Sequence, residues 1–341
     1  MRNFSLLKDE LSTPRKIVVT THARPDADAL GSSLAIYQFL RKKGHDVQVI
    51  TPTDYPDFLK WMQYEQDVII YTDQKEQANE LIQKADFIFC LDFSGKNRIG
   101  EMEEPVFKSN AEKILIDHHL DADRFAKFEL WVDTASSTCE LVFDFIKMFQ
   151  EPDAIDVGIG ECIYAGMVTD TGSFRFASTS KAVHLIVAEL LEVGINHSKV
   201  HQLIYDNNTE CRLRLLGHAL SEKMTILEDQ HTAFISLSKD DLKRFNAKNG
   251  DTEGVVNYAL SMEGIVFAAL FKEADDMVKI SFRSKGDFPA NLVAKNHFNG
   301  GGHRNAAGGR SDVSLSDTLE LFQSILPEFK SDLERNYAET H

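Results

Sequence analysis

Apolar and polar positions switch between two periods along the first half of the chain. Residues 16–21 form a short apolar run of the kind a buried strand requires, and 29–43 then carries Leu30, Leu34, Tyr37 and Leu40 at helical spacing. Gly44 ends that helix. Further strands are expected at 46–50, 68–71, 86–91 and 113–116, and helices at 137–149, 153–169 and 181–192. Ser137 and Glu140 are spaced as a capping box at the start of the first of these helices. Strands alternating with helices predict an α/β domain with a mostly parallel sheet flanked by helices.

The second half has a different rhythm. Residues 197–224 read as helical and polar enough to connect two domains. Strands follow at 232–237, 265–271 and 278–283, separated by helices near 239–245, 252–262 and 288–298. The expected division is a first domain at 1–195, a helical linker at 196–224 and a smaller α/β domain at 225–341. A chain of 341 residues is long enough for two cores.

Composition narrows the function. The hydrophobic fraction of 43% suits a globular protein, and no apolar run approaches the roughly 18 to 20 residues that span a bilayer. The Met1 to Leu11 stretch has no continuous apolar segment of the signal-peptide kind, so a soluble, cytoplasmic protein without membrane association is expected. Cys90, Cys139, Cys162 and Cys211 show no CxxC spacing, which argues against a zinc knuckle or a disulfide framework. A formal charge of −16 argues against long nucleic acid as a partner. One exception is local: residues 281–310 hold Arg283, Lys285, Lys295, Arg304 and Arg310 against the single acid Asp287, which suits a short phosphorylated ligand.

The candidate chemistry lies where strands end. Asp117-His118-His119 follows the apolar run 113–116, Asp92 closes the strand 86–91, and His22, Asp26 and Asp28 follow the first strand. Asp170 sits after an apolar helix, ahead of Thr171-Gly172. Ligands gather at the carboxyl ends of strands in open α/β sheets. Each residue also has a structural reading: Asp26 or Asp28 as a helix cap, Asp92 turning back on Ser94 or Gly95, and Asp170 as another cap. Together they supply carboxylate and imidazole ligands without sulfur, which favours Mn²⁺, Mg²⁺ or Co²⁺ over structural zinc. If strand geometry persists through the triplet, His118 and His119 point in different directions. In the second half, 299–309 is too glycine-rich to be a regular element, and its exposed N–H groups could cradle phosphate.

With these motifs assembled, the chain resembles the DHH phosphoesterase superfamily, in particular its small two-domain members related to oligoribonuclease/pAp phosphatases and linear-dinucleotide phosphodiesterases. The resemblance rests on His22-Ala23-Arg24-Pro25-Asp26-Ala27-Asp28, on Asp92, on Asp117-His118-His119, on Asp170 and on the glycine-rich segment, which looks like the motif of the DHH-associated C-terminal domain. It implies an active site in an interdomain cleft and two Mn²⁺ ions, with Mg²⁺ or Co²⁺ as alternatives. His22, Asp26 and Asp92 would hold one ion, and Asp28, Asp92, His118 and Asp170 the other. His119 would touch the scissile phosphate, with Asp117 orienting a histidine from behind. Arg283, Ser284, Gly300, Gly301, Gly302 and His303 match the positions that grip the substrate, with Arg98 a further candidate.

Ala27 departs from the family's usual glycine between the two aspartates. The expected substrates are short oligoribonucleotides, pApA-type linear dinucleotides or pAp, with entry of a cyclic dinucleotide left open. Similar proteins are often homodimers. Competing readings are an inorganic pyrophosphatase or exopolyphosphatase, a long-strand exonuclease of the RecJ type, and a nucleotide-binding protein without catalysis.

Overall fold

The computed structural model describes residues 3–120, 122–248 and 250–340. The chain separates into two compact units, Met1–Asn207 and Asn208–His341. The first contains α1 (Phe4–Glu10), β1 (Lys16–Thr20), α2 (Ala27–Lys42), β2 (Asp46–Thr51), β3 (Ile69–Ile70), α3 (Lys75–Lys84), β4 (Phe87–Leu91), α4 (Glu103–Lys108) and β5 (Glu112–Asp117). After these come β6 (Phe128–Trp131), α5 (Thr138–Lys147), α6 (Val157–Asp170), α7 (Lys181–Val193) and α8 (His197–Tyr205).

Among the described residues its strands pair in parallel in the order β3-β2-β1-β4-β5-β6. The expected α/β architecture is present. Strand alternation divides the core. Ile17 and Val19 of β1, with Phe87, Phe89 and Leu91 of β4, pack with α2, α5 and α6, whereas Val18, Ile88 and Cys90 face the other way, towards Ala78 and Ile82 of α3 and Val106 of α4. Burial on both faces is what a parallel sheet requires.

Because every strand runs the same way, the residues after β1, β4 and β5 emerge at one edge. Sequence order reverses between β1 and β4, which makes that point a natural crevice. His22 and Asp92 follow the two strands that flank it.

Several boundaries move for local reasons. The α2 helix starts at Ala27 because Asp26 caps it, its Oδ1 accepting from the N–H groups of Asp28 and Ala29. Asp156 caps α6, which therefore begins later than the apolar pattern suggests. Ser137 caps α5 as expected, but Glu140 does not complete the box: its Oε2 accepts from Ser136 N and Oγ, both at 2.7 Å. Strand β6 lacked a clear sequence signal.

The stretch 196–224 contains two helices, not one. Val200 and Ile204 of α8 join the core of the first unit. The second unit begins with α9 (Glu210–Glu222), whose Leu215 and Ala219 pack in its own core. It continues with β7 (Met224–Leu227), β8 (Thr232–Leu237), α10 (Lys239–Arg244), α11 (Val255–Leu260), β9 (Phe267–Glu273), β10 (Val278–Ser284) and α12 (Ala290–His297). It ends with β11 (Gly301–His303), β12 (Ala306–Ser311), α13 (Leu315–Ile325) and α14 (Lys330–Thr340). Among the described residues its strand order is β11-β12-β10-β9-β8-β7, with only β8 and β9 parallel. Phe267, Phe271, Phe282, Phe288, Phe298 and Phe322 fill one face of that sheet.

The glycine-rich segment is a correction to the sequence reading, because 301–311 forms the regular hairpin β11–β12. Glycine is needed there for close approach: a Cβ on Gly300 would sit 2.0 Å from Gly308 O, and Gly302 adopts φ +137°.

Close approach also governs the first unit, where a Cβ on Gly166 of α6 would lie 2.4 Å from Cys139 Sγ and 2.6 Å from Asp28 Oδ1. Gly166→Ala is expected to destabilise the protein by about 1 to 3 kcal/mol. At Gly217 in α9 an added Cβ would meet nothing within 4 Å, so Gly217→Ala is expected to stabilise by about 0.4 to 1 kcal/mol. Urea unfolding midpoints measured side by side give both signs.

Candidate metal centre

Four carboxylates and three imidazoles converge at the carboxyl edge of the parallel sheet. Asp92 is central. It is buried, adopts φ 63°, a conformation aspartate tolerates better than most residues, and presents its two oxygens to different rings. Asp92 Oδ2 lies 3.3 Å from His22 Nε2, while Oδ1 lies 3.5 Å from His118 Nε2 and 3.5 Å from His119 Nδ1. Thr138 Oγ1 donates to the same Oδ1 at 2.9 Å.

The remaining acids surround this centre. His22 Nε2 is 3.9 Å from Asp26 Oδ2, so Asp26 caps α2 with one oxygen and turns the other towards the cluster. The cap and the cluster readings both hold. His118 Nε2 is 3.5 Å from Asp170 Oδ2 and 3.8 Å from Asp28 Oδ2. Asp28 is fully buried and is held by the first amides of α5, with Thr138 N donating to Oδ2 at 2.7 Å and Cys139 N to Oδ1 at 2.8 Å. Helix N-termini favour negative charge in this way. Asp170 is the last residue of α6 and does not cap the start of a helix.

His118 and His119 do not diverge as strand alternation predicts. Strand β5 ends at Asp117, and both rings turn back on Asp92, with centroids 4.9 Å apart. Asp117, fully buried, holds His119 through Oδ1 and Nδ1 at 2.8 Å, and Trp131 Nε1 donates to His119 O at 2.7 Å. Among the described residues, Asp117 Oδ2 has no hydrogen-bond partner. His118 Nδ1 lies 3.3 Å from Ala135 O, which directs Nε2 at the carboxylates.

The electrostatics are those of a site short of positive charge. Burial and then the nearby Asp92 push Asp28 up to about 7. Burial, Asp28 and Asp26 raise Asp170 well above the usual carboxylate range. Burial disfavours the charged form of His118, yet Asp92, Asp28 and Asp170 outweigh it and raise its pKa to about 11. Desolvation works against ionising Asp92 too, but bonding to His118 and His22 holds it well below the usual value. Among the described residues, no lysine or arginine ion pair is recorded for Asp26, Asp28, Asp92 or Asp170.

The donor set fits divalent cations. Ligands each about 2.1 Å from one cation and at right angles lie roughly 3 Å apart, close to the spacings here. Two groups of potential ligand atoms, His22-Asp26-Asp92 and Asp28-Asp92-His118, each fall within 4.8 Å and share Asp92.

Arg98 lies near enough to His22 to oppose its protonation electrostatically, and its carbonyl accepts from Ala23 N at 2.8 Å. In the second unit, Arg283 sits on β10 beside Ala306 of the hairpin, with Nη1 donating to Phe282 O. Ser284 is buried, and its hydroxyl donates to Phe288 O at 2.7 Å while accepting from Asn305 Nδ2 at 3.0 Å. It fastens the loop before α12 to the tip of the hairpin. Gly301 and Gly302 are exposed, whereas Gly300 and His303 are half-buried.

Sequence reasoning missed the amides of Thr138 and Cys139, the Thr138 hydroxyl and Trp131. The available signal was Ser136-Ser137-Thr138, which marks a helix start but cannot say what that start faces.

Fold and site define a class of protein: an α/β protein with a carboxylate–imidazole centre at the carboxyl edge of a parallel sheet, followed by a mixed-sheet unit. Residues 16–167 match the DHH family, N-terminal domain, and residues 231–333 match the DHHA1 domain. The chain belongs to the DHH family and is a hydrolase of phosphoesters.

It is 30% identical over 297 residues to the bifunctional oligoribonuclease and PAP phosphatase NrnA of Bacillus subtilis, covering 86% of this chain and 88% of that protein. The protein of the same name from Thermus thermophilus is 26% identical over 94% of this chain and 90% of its own length. The crystal structure of an exopolyphosphatase-related protein from Bacteroides fragilis matches with a TM-score of 0.93 at 40% identity, over 97% of each chain.

The charge balance makes stability depend on pH in a chelated sample. Asp28 and His118 have folded-state values above their unfolded ones, so their contributions are complete below about 4 and 6.5 and fade as pH rises towards about 7 and 11. Asp92 acts oppositely, but only under acid conditions. In EDTA the melting temperature is expected to fall from pH 5 to 9, and saturating Mn²⁺ to raise it and flatten that slope. Equal slopes with and without Mn²⁺ would contradict a cation site.

Proposed function

We propose that this protein hydrolyses short nucleotide phosphoesters, namely oligoribonucleotides of a few residues, pApA-type linear dinucleotides and pAp, to mononucleotides or phosphate. The observation that carries the reading is Asp92, whose two oxygens face His22 and His118 at 3.3 and 3.5 Å, with no lysine or arginine ion-paired to it among the described residues. The names of the Bacillus and Thermus relatives support the substrate class.

In this reading His22, Asp26 and Asp92 hold one divalent cation, and Asp28, Asp92, His118 and Asp170 a second. Mn²⁺ is the first choice, and Mg²⁺ or Co²⁺ suit the same oxygen and nitrogen donors. Such cations, when bound, neutralise phosphoryl oxygens and lower the pKa of water. The protein's own contribution is placement. Asp117 fixes the ring of His119 so that it meets the scissile phosphate, and the amides of α5 keep the Asp28 carboxylate oriented. No nucleophilic side chain is needed. Arg283 and the Gly300 to His303 hairpin take the substrate's terminal phosphate, with Arg98 a further phosphate contact. Three buried, unpaired thiols, Cys90, Cys139 and Cys162, suit work in a reducing cytoplasm.

A phosphoanhydride would be served by the same cations, and the Bacteroides protein is described as exopolyphosphatase-related. A panel of short RNA, pApA, pAp, pyrophosphate and polyphosphate at fixed Mn²⁺ separates the two. Release of mononucleotide or of phosphate from pAp is expected, and turnover of polyphosphate alone would overturn the reading.

Variants test the roles. Asp92→Asn is expected to reduce turnover to background while the far-ultraviolet circular dichroism is retained. Asp117→Asn is expected to cost about 10- to 100-fold, as loss of a group that orients an imidazole does. Equal activity of Asp92→Asn and the parent protein would remove the bridging role.

A further inference from the structure

Immediately after Asp170 the backbone takes an uncommon course. Gly172, Ser173 and Phe174 follow one another with φ of 56°, 62° and 63°. Glycine adopts this left-handed conformation readily, whereas a bulky residue such as phenylalanine rarely does.

The turn is tied down from within. Ser173 N donates to Val168 O at 2.7 Å, Phe174 N to Thr171 Oγ1 at 3.0 Å, and Arg175 N and Phe176 N both to Thr171 O at 2.9 and 3.0 Å. Arg175 Nε closes the ring on Gly172 O at 2.8 Å.

The two phenylalanines are thereby sent to different places. Phe174 packs against the core of the first unit, 6.0 Å from Tyr164 and 5.9 Å from His184 between ring centroids. Phe176 lies across the backbone of Gly172, where an added Cβ would come within 2.4 Å of its Cζ. Only a glycine lets the ring rest there. Even so, Phe176 remains 42% exposed, and the neighbouring Arg175 is exposed as well.

Gly172 is two residues from Asp170, a span of about 7 Å at most. Held conformations of this kind cluster at binding sites, where the surrounding structure enforces them. An exposed aromatic ring braced from behind, in a turn that begins within two residues of a carboxylate of the candidate cation cluster, is a surface on which a flat heterocycle can stack.

We propose that Phe176 stacks on the nucleobase adjoining the scissile phosphate, with the Arg175 guanidinium beside it, so that turn 172–176 discriminates a nucleotide from a phosphate chain that carries no base. This rests on the reading of the protein as a nucleotide phosphoesterase and adds to it a determinant of specificity.

The test compares pAp with ribose 3,5-bisphosphate, the same phosphates without the base, in the parent protein, Phe176→Ala and Phe176→Tyr at fixed Mn²⁺. The parent's preference for pAp in kcat/KM is expected to fall about 5- to 150-fold in Phe176→Ala, the range for losing one base–aromatic stack. The loss should appear in KM more than in kcat, and Phe176→Tyr should retain the preference. An unmoved preference, or an equal fall on both substrates, overturns the stacking role. A parent protein active on neither pAp nor short RNA would instead overturn the nucleotide reading, and this inference with it.

Discussion

Four carboxylates brought together at the edge of a parallel sheet repel one another, and much of the first unit is arranged to tolerate that repulsion. Asp92 accepts from Thr138 and faces three imidazoles, and Asp28 rests on two amides of α5. Even with these contacts, Asp28 and Asp170 are pushed towards their neutral forms and His118 towards its charged form. Desolvated like charges are costly unless a compensating charge is supplied. Among the described residues imidazoles, and no lysine or arginine, are paired to these acids, an imbalance that divalent cations would relieve.

That arrangement depends on packing some distance from the charges. Helices α2 and α6 carry Asp28 and Asp170, and they approach closely because Gly31 and Gly166 present no side chain: a Cβ on Gly31 would lie 2.5 Å from Cys162 O. Moving either helix outward would carry a carboxylate with it. Glycine thus serves the chemistry indirectly, through helix separation. In the second unit it does so differently, letting β11 and β12 pair where side chains would collide.

Family membership defines the reaction class more firmly than the substrate. Relatives of comparable length are named for oligoribonucleotide and PAP chemistry, while a structurally similar protein is described in terms of polyphosphate. Physical features that recognise a base, rather than those that hold cations, therefore carry the distinction.

Much of the candidate site was legible in sequence because its ligands follow strands. A hydrophobic run ending in Asp92, another ending in Asp117-His118-His119 and a first strand ending before His22, Asp26 and Asp28 place seven polar groups near one edge once the sheet is parallel. Helix periodicity and the caps at Asp26 and Ser137 were similarly local properties. Tertiary structure decided the rest. Both histidines converge on Asp92 because β5 stops at Asp117, the start of α5 faces Asp28 because α2 packs beside it, and the glycine-rich segment pairs as a hairpin because a neighbouring strand accepts it. Periodicity encodes which face of an element is buried. It cannot encode which distant amide, carbonyl or ring will meet that face, since such contacts arise only when the elements are assembled.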